Sequence, residues 1–194
     1  MRIIGGRLKG RRLLAPDGRG TRPSSDRLRE SVFNILAHGD YPPLAGARVA
    51  DIFAGSGALG LEALSRGAAK AVFVETARPA LSALERNAGA LGLDARVRIL
   101  RCDATRLPRA GAPVDIAFLD PPYGKGLAEP ALASLLAGGW LAPEALVVVE
   151  TGSDEALITP AGLTLVDRRD IGGSRLWLLS PNAPQMAESQ CGRS

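Results

Sequence analysis

The sequence of 194 residues contains few of the side chains that build disulfides and metal centres. Its two cysteines are Cys102 and Cys191, and its one histidine is His38. Two cysteines cannot form a disulfide framework, and a histidine without clustered partners does not indicate a metal ligand. The composition therefore predicts a reduced intracellular protein, placed in the cytoplasm, that binds no metal.

Long hydrophobic runs are missing as well. No apolar stretch approaches the roughly 18 residues that a membrane-spanning helix needs. The first ten residues, MRIIGGRLKG, carry charge but lack the apolar centre of a signal peptide. We therefore expect no membrane contact. The hydrophobic content of 46% and the charged content of 23% are typical of a soluble globular protein, and the length suits one domain with a hydrophobic core.

Acidic residues are scarce near the N-terminus. Residues 1–29, which we call the basic segment, contain nine basic and two acidic side chains, a net charge of +7, which leaves −3 for the remainder of a chain whose total is +4. The basic residues are Arg2, Arg7, Lys9, Arg11, Arg12, Arg19, Arg22, Arg27 and Arg29. Because glycine and apolar residues are interleaved with the arginines, the pattern favours a phosphate-binding element over a solubilising tail.

A helix is predicted at the end of the basic segment, in RPSSDRLRESVFNILA. Apolar residues recur there at helical spacing: Leu28, Val32, Ile35 and Leu36, with Phe33 beside this stripe. Ser24 or Ser25 can cap the N-terminus of the helix, and Asp26 suits its first turn. We therefore expect the basic segment to lead into a helix that packs on the core.

From about Arg48 onward, stretches typical of buried strands alternate with stretches typical of helices. The predicted strands are RVADIFAG, KAVFVE, RVRILRCDA, VDIAFLD and EALVVVE, and the predicted helices are ALGLEALSRG, PALSALERNAGAL and EPALASLLAGG. This alternation predicts a parallel sheet covered on both faces. The stretch LTLVDRRDIGGSRLWLLS reads as two strands joined by a Gly-Gly turn. We therefore predict a doubly wound, mostly parallel, seven-stranded Rossmann-like α/β sheet with an antiparallel C-terminal hairpin.

A glycine motif follows the first predicted strand, in DIFAGSGALG at residues 51–60. Gly55-x-Gly57-x-x-Gly60 permits a tight turn and lets backbone N–H groups approach a ligand. Glu75 ends the next strand, 20 positions after Gly55, where a carboxylate can accept both hydroxyls of a ribose. These features fit NAD and S-adenosylmethionine alike, since both contain adenosine.

Two further strand ends favour S-adenosylmethionine. Asp51 stands before the glycines, where a carboxylate suits an α-amino group and opposes a pyrophosphate. Asp103 and Ala104 end the third strand and offer an acceptor for an adenine amino group beside a small side chain. In a doubly wound sheet the strand ends share one edge, so we expect all these residues to line one crevice.

The fourth predicted strand ends in Asp120-Pro121-Pro122-Tyr123. An exocyclic amino group on a planar ring is a poor nucleophile, because its lone pair is delocalised into the ring. The Asp120 carboxylate and the Pro121 carbonyl can accept its two N–H bonds and so free the lone pair. The prolines stiffen the turn and remove competing donors, and Tyr123 can stack on the ring. The motif predicts methyl transfer to an amine, whereas hydride transfer does not require it.

The order of the glycine motif, the acidic ribose residue and DPPY resembles the class I amino-methyltransferases. More narrowly, RIIGGRLKGRRLLAPDG, TRPSSDRLRESVFNIL, DIFAGSGALGLEALSRGA and DPPY resemble the bacterial small-subunit (16S) ribosomal RNA guanine-N2 methyltransferase family. The resemblance runs from Arg2 to about Ser180, and Ser24 and Ser25 depart from the threonines expected there. It implies methyl transfer from S-adenosylmethionine to the N2 amine of a guanine in 16S ribosomal RNA, free or in an assembling small subunit, by a monomer.

The resemblance also implies the site residues and the division of the chain. The cofactor would be held by Asp51, Gly55, Ser56, Gly57, Glu75, Asp103, Ala104 and Asp120, and the base by Asp120, Pro121, Pro122 and Tyr123. The RNA would be held by Arg2, Arg7, Lys9, Arg11, Arg12, Arg22, Arg27 and Arg29. Residues 1–40 would form the arm and its helix, residues 41–180 the methyltransferase domain, and residues 181–194 a disordered tail.

Four alternatives remain at this point. DPPY suits the N6 amine of adenine in DNA or RNA equally well, although DNA enzymes usually carry a separate groove-reading domain. Methylation of a protein glutamine is favoured less, because that family tends to have Asn before the prolines. An RNA-binding assembly factor without catalysis and an NAD dehydrogenase are the other two.

Overall fold

The computed structural model describes residues 1–16 and 26–182. The predicted capping residues Ser24 and Ser25, and the predicted RNA-binding Arg22, lie outside the described residues. The helices are α1 (Asp26–His38), α2 (Ala58–Ser65), α3 (Arg78–Leu91) and α4 (Ala128–Ala137), with short 3-10 turns at Asp94–Arg96 and Ala104–Arg106. The strands are β1 (Arg48–Ile52), β2 (Lys70–Val74), β3 (Val97–Leu100), β4 (Val114–Leu119), β5 (Leu141–Gly152), β6 (Leu163–Ile171) and β7 (Ser174–Pro181).

The strands form one seven-stranded sheet in the order β3-β2-β1-β4-β5-β7-β6. The pairs among the first five strands are parallel, whereas β7 runs antiparallel to β5 and β6 runs antiparallel to β7. Gly172 adopts a φ of 62° in the turn between β6 and β7. The predicted fold class, with its C-terminal antiparallel hairpin, is confirmed.

Apolar side chains alternate between the two faces of the sheet and build a core on each. In β1, Val49 joins the core that includes α1, α2 and α3, while Ala50 and Ile52 join the core that includes α4. This is the period of two that a strand imposes. Asp51 shares the face of Val49 and therefore faces the helix α2.

Helix α1 packs on the strand that leads to the predicted base site. Phe33 is fully buried and its ring centroid lies 5.7 Å from that of Phe118 in β4. Ile35, predicted in the buried stripe, is only half-buried. Phe33, predicted beside the stripe, therefore belongs to the buried face of the helix.

The first thirteen residues form a small antiparallel hairpin on the first of the two cores, which we call the N-terminal hairpin. The Ile3 N–H donates to the Arg11 carbonyl at 2.9 Å, and the Gly10 N–H donates to the Ile3 carbonyl at 2.9 Å. Ile3, Leu8 and Leu13 are buried in that core. The apolar residues interleaved in the basic segment therefore anchor it to the body.

The last strand includes Pro181, the first residue of the predicted tail. Residues 183–194 lie outside the described part of the chain. Within residues 1–16 and 26–182, no helix combines the length and the apolarity that crossing a bilayer requires.

Candidate active site

Four parallel strands end at the same level and bring the predicted site residues to one edge. Ile52 of β1 is in register with Val74 of β2 and Leu119 of β4, and Val74 is in register with Leu100 of β3. Glu75 and Asp120 directly follow two of these ends, the glycine motif follows a third, and Asp103 lies three residues beyond the fourth. The edge is the one at which α/β proteins bind ligands.

Two carboxylates hold the loop after β1, residues 53–57, which we call the glycine loop. Glu75 accepts the Gly55 N–H with Oε2 at 2.8 Å, and its Oε1 accepts the Thr76 and Ala77 N–H groups at 2.7 Å. Asp51 accepts the Gly60 N–H of α2 with Oδ2 at 2.8 Å. Both predicted cofactor residues therefore also fix backbone around the loop.

The glycines of the motif have different roles. A Cβ on Gly57 would overlap Leu84 Cδ1, and a Cβ on Gly60 would overlap the Phe73 ring, so either substitution would force a packed side chain to shift. Gly55 has a φ of 56°, and no described atom lies within 4 Å of the Cβ it lacks. Gly55 therefore leaves open space at the sheet edge.

Phe53 opens the glycine loop with a φ of 63°, a conformation that non-glycine residues seldom adopt. Such a conformation costs on the order of 1–3 kcal/mol and persists where the surroundings determine it. The strain coincides with the site that the strand ends define, as is common for ligand-binding turns.

Asp51 is fully buried, and this burial raises the pKa of its carboxyl to about 8. The charges of Asp120 and Glu75 raise the pKa further, whereas the bond from Gly60 opposes the shift. A cationic group beside Asp51 would restore the ionised form. The assignment of Asp51 to an α-amino group stays a prediction.

Asp103 begins the 3-10 turn after β3. Its Oδ1 accepts the N–H and the hydroxyl of Thr105, each at 2.8 Å. These bonds lower the pKa of Asp103 and keep its exposed carboxylate ionised. Ala104, the next residue, is buried. The assignment of Asp103 and Ala104 to an adenine amino group stays a prediction.

The DPPY residues leave β4 as a stiff turn. Asp120 is half-buried, and its N–H lies 3.4 Å from the Ile52 carbonyl of β1, beside the glycine loop. Pro121 is buried and Pro122 is exposed. Asp120 and the cofactor residues therefore share one edge.

The hydroxyl of Tyr123 is held by side chains of β5 and β7. It donates to Glu150 of β5 and lies 2.9 Å from the hydroxyl of Ser174 in β7, which in turn donates to Glu150 at 3.0 Å. Burial and the bond to Glu150 raise the pKa of Tyr123. The phenol is therefore neutral, and its hydroxyl is tied to β5 and β7.

The predicted RNA-binding residues divide into two groups. Those with exposed side chains are Arg2, Arg7, Lys9, Arg11, Arg12 and Arg27. Arg29 is fully buried, and its Nη2 donates to the Arg2 carbonyl at 3.0 Å and to Asp26 at 2.6 Å. The prediction that Arg29 binds RNA is corrected, because this guanidinium ties the N-terminal hairpin to α1.

Three buried polar side chains that attach the N-terminal segment were not predicted. Glu62 accepts the Ile4 and Gly5 N–H groups at 2.7 Å, and Ser65 accepts the Leu8 N–H at 2.9 Å. Asn87 bonds to residue 14. Glu62 and Ser65 stand in the mostly apolar helix ALGLEALS, and Asn87 stands in the apolar stripe of α3. The sequence signal for these residues was a polar side chain at a position that the apolar pattern predicts to be buried, because buried polar groups form hydrogen bonds.

The fold and this edge define a class of protein. A sheet of this order, with a glycine loop after β1, acids after β2 and β3, and DPPY after β4, is that of the class I methyltransferases. Such enzymes use S-adenosylmethionine.

Comparison with known proteins narrows the class to a family. The family model described as conserved hypothetical protein 95 matches residues 1–180. The "Ribosomal RNA small subunit methyltransferase D" of Escherichia coli strain K12 is 42% identical over 174 residues, covering 89% of this chain and 85% of that protein. The protein of the same name from Haemophilus influenzae is 38% identical, covering 89% of each.

A solved structure agrees with this. That of the Escherichia coli protein yhhF is 40% identical, with a TM-score of 0.80, covering 94% of this chain and 98% of that one. The chain belongs to the family described as conserved hypothetical protein 95, that of the small-subunit ribosomal RNA methyltransferase D proteins.

Proposed function

We propose that this protein transfers a methyl group from S-adenosylmethionine to the exocyclic N2 amine of a guanine in 16S ribosomal RNA. The observation that carries the proposal is the shared edge of the glycine loop and the Asp120 turn, with Asp120 bonded through its backbone to β1. The names of the relatives support ribosomal RNA as the substrate. We further propose that the protein acts as a monomer, on free RNA or on an assembling small subunit.

The residues at the carboxyl edge fit the cofactor. The buried Asp51 carboxylate suits the α-amino group, and Glu75 suits the ribose hydroxyls. Asp103 suits the adenine amino group, and Ala104 is the small side chain that follows it in the chain. Gly55, Ser56 and Gly57 supply the backbone that approaches the ligand, and Asp120 closes the site from β4. When bound, S-adenosylmethionine supplies an electrophilic methyl group.

The acceptor amine is prepared by the DPPY turn. The Asp120 carboxylate and the Pro121 carbonyl accept the two N–H bonds of the amine, which draws the nitrogen toward a tetrahedral geometry. Asp120 is also placed to accept the proton that the amine loses on methylation. Tyr123 stacks on the base, and its hydroxyl bond to Glu150 holds the far end of the side chain in place.

The N-terminal hairpin supplies the RNA contact in this proposal. Its basic side chains point to solvent while its apolar side chains are buried on the core. Phosphate contacts of this kind give affinity and register, and the Asp120 pocket then selects a base that has left its stack. The hairpin therefore positions the RNA and the pocket chooses the base.

Methylation itself is tested with the purified protein, labelled S-adenosylmethionine, and either free 16S RNA or small subunits isolated without the modification. Mass spectrometry of the digested nucleosides should show N2-methylguanine. N6-methyladenine would contradict the base assignment and favour the adenine alternative. No incorporation into either substrate, with cofactor bound, would contradict the proposed activity.

The role of the hairpin is tested by changing Arg7, Lys9, Arg11 and Arg12 to Gln. Each lost phosphate contact should lower the log–log salt slope of RNA binding by about 0.7–0.9, so four contacts remove roughly three units. Cofactor affinity without RNA should not change. Changing the exposed Lys70, Arg98, Arg106 and Arg109 to Gln is the matched control for charge. Equal losses in the two variants would contradict a specific role for the hairpin.

A further inference from the structure

We propose that Asn87 couples the RNA-binding hairpin to the glycine loop, so that RNA and cofactor each strengthen the binding of the other. The inference rests on the proposed function, which assigns RNA to the hairpin and S-adenosylmethionine to the loop. Asn87 touches neither ligand in this proposal. It is a positioning residue that both binding elements share.

Asn87 lies on α3 and is only 2% exposed, yet all its polar atoms are used. Its Oδ1 accepts the Leu14 N–H at 2.8 Å, and its Nδ2 donates to the Leu14 carbonyl at 3.0 Å. The same Nδ2 donates to the Ser56 carbonyl at 3.0 Å. One rigid amide group therefore joins two segments that are 42 positions apart in the chain.

On the cofactor side, the contact fixes a whole peptide unit. The Ser56 carbonyl is held by Asn87, and the Gly57 N–H of the same peptide donates to the Ala54 carbonyl at 2.7 Å. Because a peptide is planar, its orientation is then determined at both ends. A ligand that draws the loop inward must move the Ser56 carbonyl, and with it the amide of Asn87.

On the RNA side, the contact is made by backbone rather than by packing. The Leu14 side chain is 49% exposed, so burial contributes little to holding this residue. Arg11, three residues earlier, donates to the Ala90 carbonyl of α3 at 2.6 Å. Residues 11–14 are therefore aligned along the end of α3, and Asn87 determines the position of the segment that follows the basic residues of the hairpin.

These contacts predict positive coupling. A ligand that orders one segment fixes the amide, and the other segment is then ordered before its own ligand arrives. Coupling of binding is reciprocal, so one factor must describe both directions. We expect S-adenosylhomocysteine to tighten RNA binding at least about fivefold, and RNA to tighten S-adenosylhomocysteine binding by the same factor.

The coupling is measured with the full chain. Calorimetry gives the dissociation constant of S-adenosylhomocysteine with and without saturating 16S RNA fragment, and fluorescence anisotropy gives that of the RNA with and without S-adenosylhomocysteine. In Asn87→Ala we expect the coupling factor to fall to within twofold of one. Leu14→Pro removes the N–H that Asn87 accepts, and it should have the same effect while the substituted side chain itself is half-exposed.

Ser65→Ala is the matched control. Ser65 accepts the Leu8 N–H and donates to the Gly5 carbonyl, so its loss loosens the hairpin away from the glycine loop. This variant should bind RNA more weakly but keep the coupling factor of the wild type. A reduced factor in Ser65→Ala as well would show that general loosening is responsible, and would overturn the role of Asn87.

The remaining outcomes separate the inference from the proposed function. If the wild type binds both ligands with a coupling factor of one, the inference fails and the proposed function stands. If the factor survives in both Asn87→Ala and Leu14→Pro, the coupling does not pass through this amide and the inference fails. If the wild type binds neither ligand, the proposed function fails as well.

Discussion

The two halves of the active-site edge are held in different ways. In the cofactor half, formed by the ends of β1, β2 and β3, the acids assigned to the ligand also bind backbone: Glu75 and Asp51 accept N–H groups of the glycine loop and α2. In the acceptor half, formed by β4, β5 and β7, Asp120 sits on a proline turn and separate residues, Glu150 and Ser174, fix Tyr123. In the cofactor half, the same acids are therefore assigned to the ligand and hold the backbone. In the acceptor half, different residues have these two roles.

Asp120→Ala should have the largest effect and break the acceptor half alone. Losing an oriented polar contact in the transition state costs about 10² to 10³ in rate. Cofactor affinity should stay nearly intact, because Asp120 acts chiefly on the acceptor amine. Single-turnover kinetics and calorimetry measure the two quantities. Activity within threefold of the wild type, or a collapse of cofactor affinity, would overturn the assignment.

Glu75→Ala should show the opposite pattern in the cofactor half. The change removes the ribose acceptor and also the acceptor of the part-buried Gly55 N–H, and a hydrogen bond to a charged group contributes roughly 1.5–3 kcal/mol. We expect the dissociation constant of S-adenosylhomocysteine, measured by calorimetry, to rise about 10- to 100-fold. The affinity for RNA, measured without S-adenosylhomocysteine, should not change. Glu75→Gln, which keeps one acceptor, should lie between. An unchanged constant would place the ribose elsewhere.

A smaller effect is expected in the pH dependence of cofactor affinity. This dependence should distinguish Asp51 from the other acids of the site. Its pKa of about 8 means that the free protein holds this carboxyl largely protonated at neutral pH. A cationic α-amino group favours the ionised form, so the pKa falls on binding and affinity is lost as the pH drops below 8. Between pH 6 and 7.5 affinity should rise by up to about tenfold per pH unit.

Asp51→Asn is the variant that checks this interpretation. It keeps the acceptor for the Gly60 N–H but cannot ionise, so cofactor affinity should be weaker and flat over the same pH range. Calorimetry in buffers of different ionisation enthalpy should also show proton release on binding by the wild type. A slope that persists in Asp51→Asn would assign the titration to another group.

The sequence was sufficient for the features that local pattern determines. Apolar strands separated by helices predicted the parallel sheet, and residues directly after the strands, such as Glu75 and Asp120, could be placed at one edge because parallel strands end together. Those predictions depend only on residues close together in the chain and on the rule that parallel strands end at the same edge of a sheet.

Features that depend on distant partners could not be predicted. Arg29 was expected at the surface, but it is buried because the Arg2 carbonyl and Asp26 meet it there. Asn87 meets residue 14 across 73 positions. A periodic pattern shows that such a side chain faces the core. It does not show which backbone group from a distant part of the chain will form a hydrogen bond with it. Polar partners of this kind are set by tertiary packing.

The bond between Glu62 and the N-terminal hairpin has a consequence for how the protein is assembled. Arg66 neutralises the buried Glu62 carboxylate, but Oε2 receives the N–H of Ile4, which lies 58 positions earlier in the chain. The first βα unit therefore cannot bury its helix fully until the hairpin has closed a long loop onto it. We therefore expect the element that contacts RNA in our proposal to fold together with the core, because its deletion would leave the buried Glu62 carboxylate without the Ile4 and Gly5 N–H groups.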